Sequence, residues 1–543
     1  MLKTAALLAL LLGSFSAPAQ AILAPHWAWA RPLLSFDYDQ GHAVAVDDRG
    51  RLLLAGSVAR RPTMVCYDTA GAVIWTATGN PITAFAGGEA LGAATDGQGN
   101  FLVSGNYYGT MQFDTIVLAP LDTVSNSNGF LAKYSPSGQL LWLRRFVGEP
   151  RRLGADRQGN SYVTGRFSGG ARFGPDSIVG AGGEDAFVAK FDAQGTPQWG
   201  RNVTNGGSNE WGFGVAADNA GHVYATGWFG DTISAGGAPL TAAGGTDGFV
   251  VKLDAATGAV QWLTRVGSTA AAAGQGVAAD SASVYVAGYV TGPTSIAGVS
   301  FAVKDTASAM FLLRLDPATG APLWVREGGR QHRNDPMGAP SGINGGGGGF
   351  GLTMDRLGDV YVCGSVTDSA VFSGVTVRSN GFSDVLVAKY SAQGVLRWVE
   401  HAGSPDFDVA IGITVDYPGS VYVAGLYIGQ FQAGMLGALP AISGTEMFVA
   451  KLALSHPLGM AETRAEANGL RAYPNPAHGT LTVEASPATQ IQLLNALGQE
   501  VYAAAVPAAG RVTVPVSDRP PGLYIVRVRT SAGVAARRVV VVE

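Results

Sequence analysis

One phrase recurs seven times along the chain, and it restricts the fold more than any other property. An apolar stretch leads to an aspartate and a short turn that usually holds glycine. An apolar-aromatic run follows and closes on a small residue and glycine. The copies are AVDDRGRLLLAG (45–56), AATDGQGNFLVSG (93–105), LGADRQGNSYVTG (153–165), VAADNAGHVYATG (215–227), VAADSASVYVAG (277–288), LTMDRLGDVYVCG (352–364) and ITVDYPGSVYVAG (413–425). A second phrase trails each copy, clearest in FVAKFDAQGTPQWGR (187–201), FVVKLDAATGAVQWLTR (249–265) and FLLRLDPATGAPLWVR (311–326). Each unit therefore offers four short strands; in the fourth copy they are 212–217, 222–230, 248–253 and 259–266. Val223 and Ala225 alternate with Tyr224 and Thr226, the period of two that a pleated sheet requires. Gly221 and Gly258 fall in turns that call for positive φ. Four-stranded sheets repeated about an axis make a β-propeller, here with seven blades.

The seventh unit is incomplete. It runs through FVAKLAL (448–454) and lacks the W-x-R strand seen as Trp142/Arg144, Trp199/Arg201 and Trp324/Arg326. HWAWAR (26–31) supplies that phrase as Trp29/Arg31. Trp29 precedes Asp47 by 18 residues, the separation also found between Trp262 and Asp280 and between Trp398 and Asp416. The N-terminal strand 26–32 is thus expected to complete the seventh blade and close the ring; Trp27 has no slot in the repeat. Trp75, Trp142, Trp199, Trp262, Trp324 and Trp398 hold one regular place on outermost strands, so they are expected to pack between blades.

The phrases VYVAG, VYATG and FVAKFD resemble the bacterial SBBP repeats, a seven-bladed propeller family, over most of residues 26–454. That resemblance implies a fold and names no ligand.

Both ends carry addresses. Lys3, the apolar run Ala5 to Leu12 and the small-residue site Ala19-Gln20-Ala21 read as an export signal over 1–21. Domain one is then expected at 22–454, a linker at 455–469 and a small Ig-like β-sandwich at 470–543, with strands 480–484, 490–494, 500–504, 511–515, 523–529 and 535–542. AYPNPAHGTLTV (472–483), IQLLNALGQEV (491–501) and GLYIVRVRTSAGVAARRVVV (522–541) together resemble the type A C-terminal sorting domain of the type IX secretion system. The resemblance implies recognition by that machinery through Tyr473, Pro474, Asn475, Pro476, Gly522, Tyr524, Arg537 and Arg538, and delivery to the cell surface or the medium. Many relatives carry lysine where Arg537 and Arg538 stand. Tyr473-Pro474-Asn475-Pro476 also reads physically as a rigid turn, because each proline fixes φ and removes a donor.

Chemistry is harder to find. The net charge of −4 gives no basic stripe for nucleic acid, and no later segment is long and apolar enough to cross a membrane. The recurrent aspartates (Asp47, Asp96, Asp156, Asp218, Asp280, Asp355, Asp416) suit turn caps better than calcium loops, since each turn brings only one or two carboxylates. Cys66 and Cys363 read as buried free thiols. The histidines show no metal spacing, Gly345 to Gly349 lacks the Lys-Ser/Thr of a phosphate loop, and no nucleophile elbow occurs. Hence no catalytic residue, metal ligand or cofactor is assigned.

Two candidates for binding remain. Trp324 and Asp355 are 31 apart where sister copies have about 18, and the excess over 327–349 carries Arg330, His332, Arg333 and Asp335 on an inserted loop. Trp228 lies near a strand end outside the regular tryptophan slot. The leading expectation is a monomeric, exported, non-enzymatic propeller that binds a glycan or a protein or serves as an envelope scaffold. The rival is a secreted propeller enzyme, glycan-active or quinone-dependent. LDAATGAVQW (253–262) and LDPATGAPLW (315–324) resemble quinone-dehydrogenase repeats, although such enzymes usually have eight blades and the alcohol-oxidising members often carry a vicinal cysteine pair absent here.

Overall fold

Aspartate begins the folding logic of each repeat. Asp218 Oδ1 accepts the backbone N–H groups of Ala220 and His222, closing the turn between two strands, and Oδ2 accepts the Tyr224 hydroxyl. Asp156, Asp355 and Asp416 accept from Tyr162, Tyr361 and Tyr422 in the same way. These carboxylates cap turns, and Gly221 (φ 97°) and Gly258 (φ 70°) take the left-handed backbone that the turns need.

The computed structural model describes residues 25–35, 39–121, 128–235, 238–267, 271–292, 294–296, 298–301, 308–331, 351–417, 419–442, 444–454, 471–473, 477–484, 490–495, 500–506, 510–519, 522–530 and 533–542. The candidate export signal 1–21 therefore lies outside the described residues. Among those described, every regular element is a β-strand. The chain divides into two units, Met1–Leu454 and Ser455–Glu543.

Among the described residues of the first unit, seven antiparallel sheets of four or more strands follow one another, beside three two-stranded hairpins. The fourth is representative: Glu210–Ala217, His222–Phe229, Asp247–Asp254 and Val260–Val266, hydrogen-bonded in that order. Its first strand starts at Glu210, two residues before the sequence reading, and bulges between Gly212 and Gly214. The first sheet is extended to six strands by the hairpin Met111–Phe113 and Ile116–Leu118. The last sheet joins Asp408–Val415, Val421–Tyr427 and Glu446–Leu454 to the N-terminal strand Pro25–Leu33. In that sheet Trp29 pairs with Lys451, just as Trp199 pairs with Lys190 and Trp262 with Lys252.

Second and third strands are apolar on both faces because each is covered by its neighbours; Val223 to Ala225 and Phe249 to Val251 are fully buried. First strands pack against first strands through the whole series, and Gln40–Val46 meets Asp408–Val415, so the series returns to its start. The arrangement is propeller-like.

Neighbouring sheets are clamped by the W-x-R phrase. The Trp199 indole N–H donates to Ala255 O, and Lys190 Nζ donates to the same carbonyl. Trp262 and Lys252 likewise share Pro317 O. Arg201 Nη2 and Arg326 Nη2 donate to Thr257 O and Gln393 O on the next sheet's turn. Trp29 and Arg31 do this to the first sheet, bonding Thr69 O and Gly71 O. The turn glycine is required twice over: a Cβ on Gly258 would stand 2.8 Å from the Trp199 ring, and one on Gly71 2.9 Å from Trp29. Trp27 is buried in the cluster of Trp398, Phe431 and Leu439. Cys66 and Cys363 are buried free thiols, and burial pushes both up to about 12.

The second unit has two sheets, Arg471–Tyr473 with Thr480–Glu484 and Arg511–Pro515, and Glu500–Ala505 with Gln490–Leu494, Gly522–Thr530 and Gly533–Val541. Alternate residues of both sheets, Leu481, Val483, Ile491, Leu493, Val526 and Val528 among them, share one core. The short strand Arg471–Tyr473 was not foreseen; its three residues are too few to show a period.

Candidate functional site

At one end of the channel between the sheets, the start of the first strand lies beside the end of the second in six of the large sheets. The register pairs there are Gln40 with Ser57, Glu89 with Asn106, Glu149 with Arg166, Trp211 with Trp228, Ala273 with Tyr289 and Val409 with Leu426. Polar and aromatic side chains concentrate in the second to fifth sheets.

The third and fourth sheets build the densest group. Arg166 donates to Glu149 Oε2 through Nε (2.9 Å) and Nη2 (2.6 Å), and to Glu184 Oε2 through Nη1 (2.9 Å). Its guanidinium stands 4.1 Å from the Trp211 ring centroid, a cation–π distance. The Trp211 indole N–H donates to Glu184 Oε2 at 2.8 Å. Trp228 packs on Trp211 with centroids 5.6 Å apart and an interplanar angle of 45°. Both indoles are half-buried. Arg151 adds a second guanidinium 5.5 Å from Trp211; burial, followed by the Arg166 charge, lowers its affinity for a proton. The result is a fixed polar rim around a partly open aromatic surface.

Below this rim the channel is lined by His42, Thr95, Arg152, Gln275, Thr353 and Thr414. Arg152 reaches across it, donating to Leu91 O of the second sheet and Ile411 O of the seventh. Burial drives His42 down to about 4, so the imidazole is neutral at physiological pH. Among the described residues no group of three or more His, Cys, Asp or Glu is arranged to hold a metal ion.

Of the residues singled out in the sequence, Trp228 lies in this aromatic group. Arg330 falls in the strand Pro322–Gln331, paired with Ala309. His332, Arg333 and Asp335 lie outside the described residues. Trp29 and Arg31 are in the clamp of the last sheet on the first, away from the rim. Sequence reasoning singled out Trp228 and missed Trp211, Arg166, Glu149 and Glu184. A signal was present: Asn106, Arg166, Trp228 and Tyr289 each follow the glycine that closes the first repeated phrase, so superposing copies puts them at one end.

In the second unit, Tyr473 donates to Glu484 Oε1 and accepts from Arg511 Nη2 at 2.7 Å. Pro474, Asn475 and Pro476 lie outside the described residues. Gly522 opens the strand Gly522–Thr530, Tyr524 is buried, and Arg537 and Arg538 pair with Val526 and Ile525 in backbone register.

These features define an all-β, propeller-like repeat unit joined to a small two-sheet module. Residues 471–542 match the secretion system C-terminal sorting domain. The protein is therefore one sorted by type IX secretion to the cell surface or the medium, and its partners include that machinery. No helix among the described residues is long and apolar enough to cross a membrane. No curated protein matches the chain. Among solved structures, it is similar to the quinohemoprotein alcohol dehydrogenase of Comamonas testosteroni at 11% identity and TM-score 0.37, over 84% of this chain and 79% of that one. BamB of Moraxella catarrhalis aligns at 16% identity and TM-score 0.24, over 76% of this chain and 91% of that one. Hydrazine synthase of Kuenenia stuttgartiensis aligns at 11% identity and TM-score 0.39, over 72% of this chain and 94% of that one. Likeness at this level assigns no activity.

Proposed function

We propose that residues 22–454 are a closed seven-bladed propeller of the SBBP-repeat kind, that 26–32 is its closing strand, and that the protein binds glycans at the cell surface without catalysing a reaction. In this reading 1–21 is the export signal, 455–469 the linker and 470–543 an Ig-like sorting domain. The continuous packing of first strands around the channel supports the ring.

The observation that carries the binding role is the Trp211–Trp228 pair with Arg166 locked beside it by Glu149 and Glu184. Indole faces suit the C–H face of a sugar ring, and fixed guanidinium and carboxylate groups suit its hydroxyls. Two carboxylates hold the arginine in place, so little ordering remains to be done when a ligand arrives. The inserted segment with His332, Arg333 and Asp335, which in sequence follows Arg330 at the end of the strand Pro322–Gln331, belongs to the same reading as a candidate second contact.

A glycan array probed with the purified protein tests this, followed by Trp228→Ala on any ligand found. Trp228 is only half-buried, so the variant should keep its melting temperature and lose about tenfold or more in affinity, in line with one aromatic contact of roughly 1.5 kcal/mol. Unchanged affinity in Trp228→Ala, or an array with no binding, would reject the site.

A further inference from the structure

Carboxylates recur at the seams between sheets, at positions the turn aspartates do not use. Asp185, Asp247, Asp384 and Glu446 stand two residues before the first residue of the recurring third-strand phrase, and all are fully buried. Glu210, Asp408 and Asp39 stand at the equivalent start of the next sheet's first strand, and these too are fully buried.

Three seams therefore bring two buried carboxylates together. At Asp384/Asp408, a Cβ on Gly403 would stand 2.4 Å from Asp384 Oδ1 and 2.9 Å from Asp408 Oδ2, so both acids crowd one backbone atom. Asp408 Oδ2 accepts Ser404 N–H and the Ser404 hydroxyl, whereas Oδ1 is buried without a donor. At the Asp185/Glu210 seam Glu210 Oε1 accepts the Ser208 hydroxyl and Oε2 is buried without a donor, while Asp185 accepts from Asn202 Nδ2 and Ala181 N–H. At the Glu446/Asp39 seam Asp39 Oδ1 accepts the Ser35 hydroxyl and Oδ2 has no donor. In each pair burial, with the neighbouring carboxylate adding to it, raises the proton affinity of the second acid.

One other seam, with a single acid, serves as a control within the same chain; there Asp247 Oδ1 is likewise buried without a donor. Asp247 faces Ala272 in place of a second acid, and Arg265 approaches its Oδ2 at 3.5 Å. The fourth-strand position of Arg265 is held by Asn202, His401 and Pro32 at the three double-acid seams. At that position the one single-acid seam has an arginine and the three double-acid seams do not, although His401 Nδ1 approaches Asp384 Oδ2 at 3.1 Å. Two buried like charges are costly without a compensating cation.

We propose that these three seams bind calcium, each ion held by two carboxylates and a serine hydroxyl: Asp384, Asp408 and Ser404; Asp185, Glu210 and Ser208; Glu446, Asp39 and Ser35. All the ligands are hard oxygens, and the two carboxylates with the hydroxyl offer five of the six to eight that calcium takes. Magnesium demands a stricter octahedron and gives up water reluctantly, which suits a closed seam less well. Each ion bridges two neighbouring sheets, so binding tightens the ring in a calcium-rich exterior.

The test uses the full mature chain, stripped with chelator and titrated calorimetrically with CaCl2 at about pH 7.5, with melting curves alongside. About three ions should bind, with Kd of order 0.1–1 mM as in extracellular modules, and the melting temperature should rise. Asp408→Asn and Glu210→Gln should each remove one ion, while Asp247→Asn removes none. Both substitutions imitate the protonated acid, so folding is preserved; Asp384→Asn serves as a second variant at the same seam. No binding and no thermal shift up to about 10 mM calcium would overturn the proposal, leaving shared protons to neutralise the pairs. A calcium response that survives in the Asp39→Asn, Glu210→Gln, Asp408→Asn triple variant would overturn it as well. A response to MgCl2 without one to CaCl2 would overturn the choice of ion.

Discussion

At the scale of single residues, the seam acids should give the protein an unusual pH profile. Burial, with Asp384 adding repulsion, pushes Asp408 up to about 7; burial, with Asp185 adding repulsion, does the same to Glu210. The groups facing them are Asp384, backed by His401, and Asp185, backed by Asn202. Because the folded pKa is raised, the folded state holds protons that the unfolded chain releases. The associated stability is complete below the unfolded carboxylate range and is lost as pH rises through about 7. In chelator, melting temperature should therefore fall as pH rises from about 4.5 to about 7 and level off above that. Asp408→Asn or saturating calcium should flatten that fall. Below about pH 6.5 buried neutral His42 acts in the opposite sense, since the unfolded chain gains a proton that the folded one refuses until about pH 4. Thermal melts across this window read the effect directly. None of this was visible in the sequence. The turn aspartates stood out because local spacing betrays a cap, whereas the seam acids gain meaning only when residues from different repeats meet.

At the scale of elements, the repeated tryptophan is the joint between one sheet and the next. Trp29 is buried, contacts Tyr67 and Tyr422 at centroid distances of 6.3 and 6.1 Å, and anchors Thr69. Trp29→Ala should cost about 3–5 kcal/mol, the range for truncating a buried aromatic side chain. Urea denaturation should show this as a lower midpoint with an unchanged slope. A loss below about 1 kcal/mol would show that the N-terminal strand contributes little. Strand positions were legible because the period of two and the glycine-bearing turns repeat, and comparing copies averages out local accidents. Trp27 had no slot because it fills a place that other sheets do not have. It sits with Trp398 at the one seam where no third-to-fourth-strand turn exists to receive an indole. The site at the channel end was half legible. Trp228 stood out as a tryptophan off its usual strand, but Arg166 is an ordinary residue until its partners Glu149 and Glu184 are seen around it.

At the scale of the whole molecule, a scaffold and an address share one chain. The address was readable because sorting machinery must recognise a particular surface, which keeps motifs together over a short stretch. The ligand was not readable, because a ring of sheets can present any residue at its rim without disturbing the packing beneath. Fusing residues 455–543 behind an exported reporter, in a host with type IX machinery, should carry the reporter to the surface or the medium. Retention in the periplasm, scored by fractionation, would show that the module needs help from the rest of the chain.

The pairing of Pro25–Leu33 with Glu446–Leu454 has a consequence for biosynthesis. Ribosomes work from the N-terminus, so one of the first strands made must wait for almost the last of its unit before its edge is covered. The sorting module is made later still. A chain that presents its label has thus already produced both halves of the clasp, and a prematurely terminated one is never labelled for shipment.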